Sequence, residues 1–307
     1  MSDGVVRLGG YAPPDASHTA ALTLLAERIE AGTGGRLRTE VMGNILDTGR
    51  PAADLLSMVE SGDLEMCYFS TSYLGSRVPA LQVLETPFLF HDLDHAHRAL
   101  DGDLGAALSD AIGSATGLAA LGYWDNGFRH LTNRLRPVHR PDDCAGMRVR
   151  MQPNAVHEAL IESWGAAPVA VDLADAVRLI ASGKVDAQEN PLANTVAYGV
   201  AEVHPFATMT GHLYGARGVF ANPAALDSLS STDRDAVRSA VRAAVEFQRD
   251  LAALRETELR VSLQAGGMEF VDLSPEERDA FRRAANDVVA GVRADVGDRM
   301  FSLVPVR

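Results

Sequence analysis

The stretch ASGKVDAQENP, residues 181–191, decides the fold, because almost the same phrase stands earlier as ESGDLEMCYFS, residues 60–70. Each copy reads as a helix end, a Ser-Gly turn and a short strand, and only the second closes on Gln188-Glu189-Asn190-Pro191. A unit of this kind written twice predicts two similar α/β halves in one chain.

Working outward, the first half alternates helices and strands. Ser17 is expected to cap a helix whose apolar positions Ala20, Leu24, Leu25 and Ile29 recur at helical spacing, with GTGG as its stop. RLRTEVMG alternates as a strand does, Pro51 is expected to open a second helix, and LEMCYFS reads as a buried strand. Such a succession implies crossover connections and a largely parallel sheet. The second half repeats the order: CAGMRVRMQPN, residues 144–154, parallels TGGRLRTEVMGN, residues 33–44. A third region, Ser231 to about Ala265, lacks Gly and Pro and carries an apolar stripe through Val237, Val241, Val245, Leu251, Leu254 and Leu259. It predicts one helix on the order of 50 Å long. A last helix is expected from the capping box Ser274-Pro275-Glu276-Glu277 to about Val296.

Composition narrows the function. The 307 residues are 47% hydrophobic and 22% charged, as in a soluble globular protein, and no apolar run approaches the roughly eighteen residues of a membrane span. A formal charge of −13 and the lack of any basic cluster argue against a nucleic-acid partner. The start MSDGVVRLGG has no basic, apolar signal-peptide pattern, so the expectation is either a cytosolic protein or one whose leader has been removed. Cys67 and Cys144 lack metal spacing and are expected as two unpaired thiols. No phosphate-binding loop, nucleophile elbow, zinc helix or dinucleotide fingerprint is present, and His91, His95 and His97 read as a solvated helix start.

Arginines at strand ends carry more. Arg129 lies in the strand of WDNGFRHLTN, and Arg148 and Arg150 share one side of the short strand in GMRVRMQPN. A guanidinium matches a carboxylate with two parallel bonds and keeps its charge when desolvated. Ligands of open α/β sheets sit beyond the carboxyl ends of the strands, where Arg150 is expected. Asn190, at a strand end with its path set by Pro191, can offer an amide to the same ligand.

In order and separation, GFRHLTN, RPDDCAGMRVRMQPN, GKVDAQENP and TMTGHLYG resemble the solute-binding proteins of tripartite ATP-independent periplasmic (TRAP) transporters, the DctP type. TGGRL, RPAADLLSMVESGDLEM, SYLGSRVPALQVLETPFLFHD and ALDGDLG extend the resemblance over nearly the whole chain. It implies a two-lobed periplasmic-binding-protein fold with a long helix spanning both lobes. Lobe I would hold residues 1–125 plus about 213–250, and lobe II, which clamps the carboxylate, residues 126–212 plus about 251–307. It further implies a periplasmic, monomeric receptor without cofactor or metal, closing on a small organic acid and delivering it to TRAP membrane permease subunits. Arg150 falls on the family's carboxylate clamp, Arg129 on its second arginine and Asn190 on its conserved amide. Leu173 and Asp175 fall where the family more often has an aromatic residue and Glu. Tyr11, His18, Ser70, Ser72 and Phe88 would line the other side of the cleft, with Asn154, His212 and Tyr214 as further contacts or hinge residues. Relatives that bind polyhydroxylated acids often place a carboxylate near the Ser70 position, so the small hydroxyl here leads to a smaller or less hydroxylated acid. The same scaffold serves as the sensing subunit of a signalling system, and a bilobal enzyme acting on an organic acid is a third reading.

Overall fold

The computed structural model describes residues 4–171 and 173–306, and only the backbone of Leu173 and Ala174. In chain order the elements are β1 (Val5–Gly9), α1 (Ser17–Gly32), β2 (Arg38–Met42), α2 (Asp54–Ser61), β3 (Met66–Ser70), α3 (Leu93–Asp101), α4 (Asp103–Thr116), β4 (Ala119–Asn133), β5 (Arg148–Met151) and α5 (Ala155–Ser163). They continue as β6 (Ala167–Ala170), α6 (Leu173–Ala181), β7 (Ala187–Asn190), α7 (Leu192–Ala197), β8 (Phe206–Ala221), α8 (Pro223–Asp227), α9 (Ser231–Ala265), β9 (Glu269–Val271), α10 (Pro275–Ala284), α11 (Asn286–Val296) and α12 (Asp298–Ser302). The chain divides into unit 1, Met1–Thr71, Arg98–Asp125 and Ala216–Ala253, and unit 2, Ser72–His97, Asn126–Gly215 and Leu254–Arg307.

In unit 1, β1 pairs in parallel with β2 and β3, and β3 pairs antiparallel with the end of β8. Leu22, Leu25 and Ile29 of α1 and Val237, Val241 and Val245 of α9 pack with Leu8, Tyr68 and Trp124 into its core. In unit 2, β5 pairs in parallel with β6 and β7, and β4 runs antiparallel to β7. Its core gathers Leu131, Val149, Leu160, Trp164 and Phe281. Each unit holds one buried thiol, Cys67 in unit 1 and Cys144 in unit 2. Burial pushes Cys67 up from its ordinary pKa and Cys144 up to about 12.

The repeated Ser-Gly turn has one physical cause in both units. Gly62 and Gly183 sit at φ +84° and +69°, in the left-handed region that ends a helix and turns the chain toward a strand. The Gly62 N–H donates to Val59 O and the Gly183 N–H to Ile180 O, so both stop the preceding helix in the same way.

Three expectations are corrected. Ser17 is the first helical residue, not the cap; Ala16 takes that position without a side-chain bond. The second helix begins at Asp54, because Pro51 sits in the turn that precedes it. The last helix keeps its capping box, with Ser274 accepting from the Glu277 N–H, but it breaks at Ala285 into α10 and α11. Residues 72–97 group with unit 2, where Glu85 bonds His157 and the Phe88 N–H donates to His212 O.

Candidate functional site

The site in unit 2 follows from strand register. Arg150 on β5 stands opposite Gln188 on β7, and Asn190 stands opposite His130 on β4. Side chains alternate along a strand, so Arg150, Gln188 and Asn190 share one sheet face, whereas Arg129, Leu131 and Glu189 share the other.

Arg150 is 3% exposed. One terminal nitrogen donates to Val171 O at 2.9 Å, while its Nε has no hydrogen-bond partner and no carboxylate pairs with it among the described residues. Burial pushes its pKa below the ordinary arginine value, against the pull of Glu189 and Tyr73. A buried guanidinium in this condition retains its preference for an anion.

Arg129 is equally buried but already balanced. Its Nε and one terminal nitrogen bond the Glu189 carboxylate, and the terminal nitrogen also reaches Glu189 O at 2.8 Å. Glu189 meets His157 Nδ1 at 3.6 Å and His212 Nε2 at 3.5 Å. Burial alone would raise its carboxyl, but Arg129, then His157 and His212, hold it well below the usual range. His157 Nε2 lies 2.6 Å from Glu85 Oε2, and Ser72 Oγ donates to Glu85 Oε1 at 2.6 Å. Burial opposes a proton on His157, yet Glu189 and Glu85 outweigh it and lift its pKa to about 9. His212 is pushed down by burial and bonds Thr210 Oγ1 through Nδ1. Two cationic groups thus face two carboxylates, leaving Arg150 without an acid partner among the described residues.

The remaining expected residues fall in several places. Asn190 is 3% exposed and bonds Gln188 and Asn194. Asn154 caps α5, accepting from the Val156 and His157 N–H groups, and so sets the start of the helix that presents His157. Phe88 is half-buried at φ +57° under the Arg282 guanidinium, and the buried Tyr214 ring lies edge-on to Phe90 and Phe128. Asp175 is exposed and pairs with Arg178 on α6. The Leu173 side chain lies outside the described residues. In unit 1, Tyr11 and His18 stack on Tyr68, and His18 Nε2 lies 2.9 Å from Asp125 O. Ser70 stands opposite Arg217 across the β3–β8 pair, and the Arg217 guanidinium lies 4.8 Å from the Tyr11 ring centre.

Glu85, His157, Glu189 and Arg217 were absent from the expected set. Glu189 was within reach, since alternation in QEN places it opposite in sense to Asn190. Glu85 and His157 meet each other over 72 positions and Arg217 lies across a strand pair, which leaves no local spacing to read.

A family model described as DctP, bacterial extracellular solute-binding protein, family 7, matches residues 8–295. The uncharacterized protein y4mM of Sinorhizobium fredii (strain NBRC 101917 / NGR234) is 31% identical over 290 residues, 94% of this chain and 52% of that protein. The chain therefore spans about half the length of that relative. The 2,3-diketo-L-gulonate-binding periplasmic protein YiaO of Escherichia coli (strain K12) is 31% identical over 279 residues, 90% of this chain and 82% of the relative. Among solved structures, a TRAP periplasmic solute binding protein from Roseobacter denitrificans with bound β-D-glucuronate matches with a TM-score of 0.90 at 26% identity, over 98% of each chain.

Proposed function

The chain belongs to the DctP family of bacterial extracellular solute-binding proteins, and from that premise we propose that it is the solute receptor of a TRAP transporter. It binds a small organic acid outside the cytoplasm and hands it to membrane permease subunits, acting as a monomer and leaving the ligand chemically unchanged. Arg150 carries this reading. It is buried, charged and without an acid partner among the described residues, which is the condition of a clamp that a ligand carboxylate completes. Arg129 contributes hydrogen bonding and shape more than net charge, because Glu189 already balances it. Asn190 lies on the face of Arg150 and adds a neutral contact.

Two of the similar proteins name six-carbon sugar acids as ligands, 2,3-diketo-L-gulonate and β-D-glucuronate. The small hydroxyl of Ser70 supports a smaller or less hydroxylated acid for this chain. A thermal-shift screen over sugar acids, dicarboxylates, and hydroxy and keto monoacids decides between them, since a ligand that binds only the folded state raises the melting temperature. Calorimetry on Arg150→Ala then tests the clamp. Removing one partner of a buried charge pair costs about 3–5 kcal/mol, so affinity for the best acid falls at least about a hundredfold. Affinity within threefold of wild type removes Arg150 from the site.

A further inference from the structure

Five side chains around Pro191 form a chain of hydrogen bonds whose direction is set at one end. The Pro191 carbonyl can only accept, and it takes the Thr195 hydroxyl hydrogen at 3.2 Å. With its one hydrogen spent, Thr195 Oγ1 can only accept from Gln188, so the nearer end of that amide is its NH2, at 3.1 Å. Gln188 Oε1 must then face Asn190, whose NH2 donates to it at 3.4 Å. Asn190 Oδ1 in turn faces Asn194, whose NH2 donates at 3.0 Å and also reaches Asn126 Oδ1 at 3.4 Å. Thr195, Gln188 and Asn190 are all at most 3% exposed, so water offers little competition along this row.

Asn190 therefore has its oxygen committed to Asn194 and one N–H committed to Gln188, leaving its second N–H without a partner among the described residues. We infer that Asn194 on α7 is a positioning residue: it locks the Asn190 amide as a donor on the sheet face shared with Arg150. That part of the site then reads an oxygen that only accepts, as a carboxylate or keto oxygen does. This inference rests on the receptor reading, with Arg150 as the clamp. Neither Asn194 nor Asn126 shows a motif of its own; their role follows from the polarity that a proline carbonyl imposes four bonds away.

Asn194→Asp keeps the shape and removes the N–H. The ionised carboxylate of this variant accepts only, so the Asn190 amide turns over and presents its oxygen, repelling an acceptor. Binding is measured by calorimetry with D-glucuronate, succinate, lactate and pyruvate as probes, and the tightest is carried forward. At about pH 8 the variant is expected to bind at least about tenfold more weakly than wild type, the loss of one well-made bond to a charged group. At about pH 4, close to the ordinary Asp pKa of about 3.9, roughly half of the introduced carboxyl is protonated and donates again, so the ratio to wild type is expected to shrink to about threefold or less. A merely structural role for Asn194 would not produce that pH-dependent recovery.

If the variant does not fold, side-chain amide spectra of 15N-labelled wild type answer instead. One N–H of Asn190 shifts on addition of the acid while its partner stays; no shift at either overturns the inference. If none of the four acids binds wild type, or Arg150→Ala leaves binding unchanged, the receptor reading fails and this inference with it. If the acid binds and Arg150→Ala abolishes it, but Asn194→Asp stays within twofold at about pH 8 or shows no recovery at about pH 4, the positioning role alone is refuted.

Discussion

His157 sits between two carboxylates in a fully buried setting, and its protonation ties stability to pH. Its pKa rises from 6.5 to about 9 on folding. A group whose folded pKa lies above its unfolded value contributes fully below the unfolded value, and that contribution disappears as the pH rises through the folded one. The window here is pH 6.5 to about 9, and the rise corresponds to on the order of 3 kcal/mol. Burial opposes the proton, so this figure is what remains after Glu189 and Glu85 outweigh it. The variant is His157→Gln, which keeps a hydrogen-bonding side chain but cannot charge. The assay is urea unfolding followed by tryptophan fluorescence in a Trp124→Phe background. Trp164, at 5.0 Å from the His212 ring, then reports unit 2 alone. The stability gap between the two proteins should be widest at about pH 6 and close by roughly 3 kcal/mol toward about pH 10. Because both share every other titrating group, including the two thiols, the gap isolates His157. A gap constant over that range would refute the reasoning, as would one that widens with pH.

Glu189→Gln leaves Arg129 buried without its carboxylate, and unit 2 should lose about 3–5 kcal/mol in the same urea assay. Glu256 accepts from the Leu192 and Ala193 N–H groups at the start of α7, yet burial pushes its carboxyl from 4.5 up to about 7. A carboxyl raised in this direction lowers stability as the pH climbs from 4.5 to about 7, so Glu256→Gln should raise the melting temperature above that range and leave it unchanged near pH 4.5. At Gly105 an added Cβ would lie 1.8 Å from Leu100 O, a backbone atom that cannot step aside. Gly105→Ala should therefore cost unit 1 about 3 kcal/mol or more, visible as a lower circular-dichroism melting temperature.

Much of the fold was legible because it is local. The two Ser-Gly turns announce helix ends through the φ that Gly62 and Gly183 adopt, and the Gly- and Pro-free text from Ser231 yields the helix α9 with the same ends as expected. Ser274 caps its helix because Pro275 and Glu277 stand at the positions a capping box needs. The misreadings are also physical. Ser17 has the right chemistry for a cap, but the chain is already helical there, and Pro51 only begins the turn before Asp54. Nothing in the text near Ala285 marks the break between α10 and α11. In the candidate site, Arg150 and Asn190 were expected near strand ends, and that position is what β5 and β7 give them. What the text could not tell is which arginine is already neutralised, since Glu189 answers Arg129 from 60 residues away and Glu85 reaches His157 over 72.

The two thiols give the protein an internal clock. Cys67 is 1% exposed in unit 1 and Cys144 is 0% exposed in unit 2, and burial keeps both protonated and unreactive at neutral pH. An alkylating reagent can modify either only when its own unit opens, so the labelling rate of each counts openings that never reach global unfolding. Mass spectrometry of the two tryptic peptides would then time each unit separately in one sample, with no engineered probe. A bound acid that slows Cys144 but not Cys67 would show which unit it holds shut.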